Sequence, residues 1–196
     1  MRIAVFLSGK GSNLLSILDA IEAGKLNATV SLIVSNRPDA GGLEVGRSRG
    51  IPGVVFDRAS YEDGERFGAD MLQRLDEEKI DIIVLAGYLR KIPPTVLRAF
   101  RKRVVNIHPA LLPKFGGKGM YGHFVHEAVI AAGESESGAT VHYVDEIYDH
   151  GEIIARRACP VLPGDSPEDL AARVLIIEHQ LYPEVLQSLS EELPPR

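Results

Sequence analysis

Ile3-Ala4-Val5-Phe6-Leu7 is apolar at every position, and Ser8-Gly9-Lys10-Gly11-Ser12-Asn13 follows it directly. Leu14, Leu15, Ile17, Leu18 and Ile21 then recur at helical spacing as far as Gly24. A strand apolar on both faces, a glycine turn and an amphipathic helix form the opening unit of a parallel sheet covered on both sides. The alternation continues along the chain. Residues 30–34, 54–56, 80–85 and 104–107 are short apolar runs, and residues 66–78 form a charged amphipathic helix. The expected fold is α/β, a Rossmann-like, open, mostly parallel twisted sheet with helices on both faces.

The pattern changes after His108. Residues 111–121 are a Gly/Pro-rich loop, and residues 124–132 read as a helix. Residues 140–144 and 152–158 alternate like strands on either side of residues 145–151, which adds an antiparallel C-terminal part to the sheet. Ser166-Pro167-Glu168-Asp169 starts the last helix, with a Ser cap, Pro at the first position and acids in the first turn. That helix is expected to run to about Leu189, leaving residues 191–196 frayed.

The length of 196 residues suits one domain over 1–196, with an N-terminal half 1–108 and a C-terminal half 109–196. An apolar fraction of 45% and a charged fraction of 25% are ordinary globular values and exclude disordered and collagen-like classes. Lys and Arg number 22 against 27 Asp and Glu, a net charge of −5, which argues against a nucleic-acid or anionic-membrane partner. Cys159 stands alone, so there is neither a disulfide framework nor a Cys-rich zinc site. The opening apolar run is short for a signal peptide, and no 18-residue apolar stretch exists to span a membrane as a helix. The expectation is a cytoplasmic protein with small-molecule partners, a monomer or homodimer.

Ligands of open α/β sheets bind beyond the carboxyl ends of the strands. Here those ends carry residues 8–13, 86–90 and 106–109, so three polar or glycine-rich segments are expected to meet at one cleft. Gly11, Ser12 and Asn13 open a helix, where unpaired N–H groups and the helix dipole attract phosphate. The same residues serve equally as a tight turn with a Ser or Asn cap. The stretch is neither the dinucleotide fingerprint, since Leu14 and Asn36 occupy its glycine and acidic positions, nor a Walker loop, since Gly11 follows Gly9-Lys10. A monophosphate fits what remains.

Asn106 and His108 lie two apart in a strand and share a face. An amide N–H and an imidazole suit an oxyanion developing at a carbonyl, and the imidazole also moves protons. Two hydrogen-bonded polar groups ahead of Pro109 would look the same. Asp145, Glu146 and Asp149 crowd residues 145–151; a carboxylate there either orients the imidazole or belongs to a solvated turn. The spacing lacks the EF-hand pattern, so no metal is expected. In residues 85–93, Gly87 admits a flat ring beside Leu89 and Ile92, unless the stretch is only a connection. His123 and His126 read as a structural pair.

Together these segments, with Ser35-Asn36-Arg37, Asn106-Ile107-His108-Pro109-Ala110-Leu111-Leu112-Pro113-Lys114, Gly138-Ala139-Thr140-Val141-His142, Asp149-His150-Gly151 and Glu178-His179, resemble the phosphoribosylglycinamide formyltransferase family (glycinamide ribonucleotide transformylases) over nearly the whole chain. The resemblance implies a 10-formyltetrahydrofolate-dependent formyl transfer to the amine of 5-phosphoribosylglycinamide in purine biosynthesis. It implies that Gly11, Ser12 and Asn13 hold the substrate phosphate and that Glu178 contacts its ribose or glycinamide part. It places Leu89, Arg90, Lys91, Ile92, Asn106 and Asp145 at the folate and makes Asn106, His108 and Asp149 the catalytic group, with direct amine attack, no covalent enzyme intermediate and no metal.

The chain departs from that family in three places. The loop 115–124 is longer and richer in glycine. A basic residue is missing at Gly64, with Arg66 as the expected substitute. His150 stands where glycine is common. A 10-formyltetrahydrofolate hydrolase shares the Asn, His and Asp group, but an N-terminal regulatory domain is not expected before a strand starting at residue 3. A transfer-RNA formyltransferase would need a basic C-terminal extension, and a non-catalytic phosphometabolite binder would have lost Asn106 or His108.

Overall fold

The strand order turns back on itself beside the first strand. The computed structural model describes all residues 1–196. Its strands are β1 (Arg2–Leu7), β2 (Thr29–Ser35), β3 (Gly53–Val55), β4 (Ile82–Leu85), β5 (Val104–His108), β6 (Glu136–Tyr143) and β7 (Ile153–Pro160). They form one sheet in the order β3-β2-β1-β4-β5-β6-β7. The first five are parallel, and β6 and β7 run antiparallel. The expected mixed α/β sheet is therefore present. The chain lays β2 and β3 on one side of β1, then β4 and β5 on the other. That reversal opens a crevice between the carboxyl ends of β1 and β4. Across it the Ser8 N–H donates to the Gly87 carbonyl at 3.0 Å, and the Leu89 N–H to Ser8 Oγ at 2.9 Å.

The two faces of β1 explain its apolar run. Ile3, Val5 and Leu7 belong to a core under α1 (Ser12–Glu22), α5 (His123–Ala131) and α6 (Pro167–Glu192). Ala4 and Phe6 belong to the opposite core, under α3 (Gly64–Glu77) and α4 (Pro94–Ala99). All five side chains are fully buried. At about 1.5–3 kcal/mol for each large apolar side chain, such burial is the main force holding the layers together. The capping box of the last helix is as expected, with Ser166 accepting from the Asp169 N–H and Asp169 accepting in return. The helix runs three residues further, to Glu192. Buried Tyr182 pins it to the sheet, its hydroxyl 3.0 Å from the Leu85 carbonyl and 3.1 Å from that of Val105.

Two helices were not legible in the sequence. One is α2 (Gly41–Ser48), which carries Gly41, Gly42 and Gly46, residues of poor helix propensity. Packing overrides propensity there. A Cβ on Gly42 would stand 2.2 Å from Leu7 Cδ2, and one on Gly46 2.3 Å from Ile33 Cδ1. Only bare backbone lets this helix lie against the sheet. The other is the short α4, which starts on Pro94.

Candidate active site

The loop leaving β1 turns on Gly11, whose φ of 85° is left-handed. A Cβ there would also stand 2.8 Å from Gly42 Cα, so backbone conformation and contact with α2 both demand glycine. No side chain caps α1, which removes the capped-turn reading and leaves the first-turn amides without a side-chain partner. Asn13 turns inward. Its Nδ2 donates to Glu178 Oε2 at 2.6 Å, and its Oδ1 is buried without a partner. Burial raises the Glu178 carboxyl above its ordinary pKa, against the pull of the Asn13 hydrogen bond.

Asn106 and His108 share a face of β5, as their spacing requires, and β6 sets His142 opposite Asn106 and Thr140 opposite His108. Thr140 Oγ1 donates to the Ala110 carbonyl at 2.6 Å and accepts from the Leu112 N–H at 3.0 Å, which ties down the chain leaving β5. That chain curls so that the Phe115 carbonyl meets His108 Nε2 at 2.8 Å. A carbonyl only accepts, so Nε2 carries the hydrogen and Nδ1 is the nitrogen free to take a proton. His108 Nδ1 lies 3.6 Å from Asp149 Oδ2, and the Gly117 N–H donates to the same oxygen at 2.9 Å. Burial lowers the His108 pKa, opposed by the Asp149 charge and the Phe115 carbonyl.

Phe115 and Asp149 both have left-handed backbones, at φ of 56° and 54°, which is costly for residues with a Cβ. Glycines on either side make this possible. A Cβ on Gly116 would come 3.1 Å from Asp149 Cβ, and one on Gly151 would come 1.9 Å from the Tyr143 carbonyl oxygen. The turn after Asp149 thus needs its glycine at 151 and tolerates His150, which is exposed with Nδ1 2.9 Å from Asp145 Oδ2.

The far wall is the segment 86–93. Tyr88 and Ile92 are buried, Leu89 is half exposed, and Arg90 is exposed. Lys91 Nζ donates to the Glu146 carbonyl at 3.0 Å and lies 4.8 Å from the Tyr148 ring centre, which joins this segment to the 145–149 loop. A single cleft of about 1420 Å³ is lined by Leu89, Arg90, Lys91, Ile92, Asn106, His108, Asp145 and Asp149 together with Asn13 and Glu178. Gly11 and Ser12, expected at the same site, are not part of that lining. Beside Gly64 the cation facing the cleft is Arg58 rather than the expected Arg66.

A model described as formyl transferase matches residues 1–186. The chain belongs to the formyl transferase family. It is 49% identical to the chloroplastic phosphoribosylglycinamide formyltransferase of Vigna unguiculata, over 97% of this chain and 61% of that protein. It is 37% identical to the phosphoribosylglycinamide formyltransferase of Escherichia coli K12, over 95% of this chain and 85% of that one. A solved glycinamide ribonucleotide transformylase from Symbiobacterium toebii superimposes with a TM-score of 0.91 at 39% identity, covering 98% and 88% of the two chains. The phosphoribosylglycinamide formyltransferase of Bacillus halodurans gives 0.90 at 38%, covering 98% and 97%. The chain spans under two thirds of the length of the Vigna relative.

Three groups at the candidate site of this formyl transferase were not legible in its sequence. His142 is buried beside the Asn106 and Asp149 side chains, 3.1 Å from Asn106 Nδ2 and 3.6 Å from Asp149 Oδ1. The Phe115 carbonyl orients His108. His126, set aside with His123 as structural, is buried, lines the cleft and has an unpartnered Nδ1. The signal for His142 was its place in an alternating strand, useful only once the pairing partner is known.

Proposed function

We propose that this formyl transferase moves the formyl group of 10-formyltetrahydrofolate to the amine of 5-phosphoribosylglycinamide. The observation that carries this reading is the meeting, in one cleft, of the Asn106, His108 and Asp149 side chains with the buried Asn13–Glu178 pair, next to the uncapped start of α1. The α1 amides, with Gly11, Ser12 and Asn13, receive the phosphate. Glu178 faces the ribose or glycinamide end. Gly87, Leu89 and Ile92, with the 145–149 loop, form the partly apolar wall for the pterin, while Arg90 and Lys91 serve the polar parts of the folate.

The substrate amine attacks the formyl carbon, a new C–N bond forms, and the formyl oxygen takes up negative charge. An Asn106 N–H and protonated His108 stabilise that oxygen; one such donor is typically worth about 2.7–4 kcal/mol of barrier. Burial keeps His108 neutral at rest, and the developing oxyanion with Asp149 draws a proton to Nδ1. As the bond to the folate nitrogen breaks, that nitrogen gains a proton and the amine has lost one. Asp149 and His108 stand where they can carry it between them. The reading involves no metal and no covalent enzyme intermediate.

The test is an assay of the purified protein with both substrates. Formylated glycinamide ribonucleotide and tetrahydrofolate in equal amounts are expected. Formate release that ignores added glycinamide ribonucleotide would overturn the transfer in favour of a hydrolase.

A further inference from the structure

An oxyanion donor must present N–H, yet the two ends of an asparagine amide have the same shape, and the neighbours decide which end faces where. Next to Asn106 the neighbour is His142. Its side chain is buried, its Nδ1 lies 2.8 Å from the Tyr143 carbonyl, and its Nε2 lies 3.1 Å from Asn106 Nδ2. A carbonyl cannot donate, so Nδ1 carries the ring hydrogen. In a neutral ring Nε2 is then bare and can only accept. The Asn106 amide must therefore turn its NH2, not its oxygen, toward His142. One hydrogen of that NH2 goes to the imidazole and the other remains for the substrate.

Asp149 Oδ1 is 3.6 Å from the same Nε2, and Asp145 lies near; both carboxylates favour a second ring proton. Burial, with His108 close by, opposes it more strongly and holds the ring neutral.

We propose that His142 is a positioning residue, the middle of a one-way chain from the Tyr143 carbonyl through the imidazole to the Asn106 amide, which sets an N–H of Asn106 toward the formyl oxygen. This rests on the formyl-transfer reading of the cleft. Its chemistry is that of a bare ring nitrogen used purely as an acceptor.

Two measurements test it. Nitrogen-15 spectra of histidine-labelled protein at pH 7.5, with His142 assigned through His142→Gln, are expected to show a neutral ring protonated at Nδ1. A ring protonated at Nε2, or at both nitrogens, would overturn the proposal. This experiment needs no activity, so it judges His142 even if the formyl-transfer reading fails in the assay. The second is a mutant cycle. His142→Leu, which keeps volume and loses the acceptor, is expected to lower kcat about 10-fold or more with both KM values within about 3-fold. His142→Gln, whose carbonyl accepts from the same NH2, is expected to stay within about 5-fold of the parent. In an Asn106→Ala background His142→Leu is expected to cost less than about 2-fold more. Equal losses in both backgrounds would show that His142 acts by another route.

Discussion

His108 Nδ1 and Asp149 Oδ2 stand 3.6 Å apart, on a strand end and on the loop leaving β6. The gap is longer than a hydrogen bond, and closing it takes only a small shift of either side chain. Each partner has a second contact, His108 Nε2 with the Phe115 carbonyl and Asp149 Oδ2 with the Gly117 N–H, both from the loop that follows β5. One loop therefore sets both groups.

His108→Ala is expected to lower kcat by about 100-fold or more, because an electrostatic donor acts mainly in the transition state. Ribonucleotide affinity, measured by calorimetry, should stay within a few-fold. An unchanged turnover would remove His108 from the chemistry.

Asn13→Ala is expected to weaken the ribonucleotide more than the folate. The Asn13 side-chain amide is committed to Glu178, so the change disturbs the end of the cleft proposed for the sugar and not the 86–93 wall proposed for the pterin. Equal effects on the two substrates would count against a phosphoribosyl site there.

Glu178→Gln is expected to stabilise the free protein while lowering transfer. The amide keeps an acceptor for Asn13 and removes a buried charge. The carboxyl has a raised pKa in the folded state, so the parent is penalised once pH climbs above the ordinary carboxyl value, and the penalty is complete above the folded pKa. The gain in thermal midpoint should therefore be larger at pH 8 than at pH 5, about 2–4 °C if the gain is near 1 kcal/mol. A lower midpoint at pH 8 would show that the charge is stabilised by something other than Asn13.

Buried His108, His126 and His142 all have lowered pKa values, with burial the largest cause in each. The unfolded chain takes up protons near the ordinary imidazole value of about 6.5, and the folded protein does so only at lower pH. These groups leave stability unchanged well above that value and subtract from it as pH falls below. Thermal midpoints from pH 8 to 5 should be level at first and then decline. His142→Gln should make the decline shallower; an identical slope in that variant would exclude His142 as a contributor.

Gly151→Ala is expected to abolish most activity, since its Cβ would fall 1.9 Å from the Tyr143 carbonyl oxygen and force the Asp149 loop to move. His150→Gly, on an exposed side chain, should change activity by less than about 3-fold. Circular dichroism and turnover on the same samples separate a displaced loop from a failed fold.

Much of the fold was legible because burial on both faces leaves a mark on local sequence. The continuous apolar runs of β1, β4 and β5 and the Ser166 cap are short-range signals. Asn106, His108 and the 11–13 turn were legible because strand ends and helix starts are where such sheets hold ligands. Helix α2 was hidden, because the reason for its glycines is Leu7 and Ile33 in other strands. Arg58 was passed over for Arg66, because the direction a side chain takes from a short helical turn depends on what packs around it.

The residue order alone determined the strand, turn and helix units and the chemical types waiting at their ends, since local periodicity and backbone preference act within a few residues. Only the tertiary structure decided that β6 sets His142 against Asn106, that Asp149 arrives beside His108, and that Asn13 spends its amide on Glu178. Those pairings join segments far apart in the chain, and register and loop closure, which no local pattern encodes, bring them together.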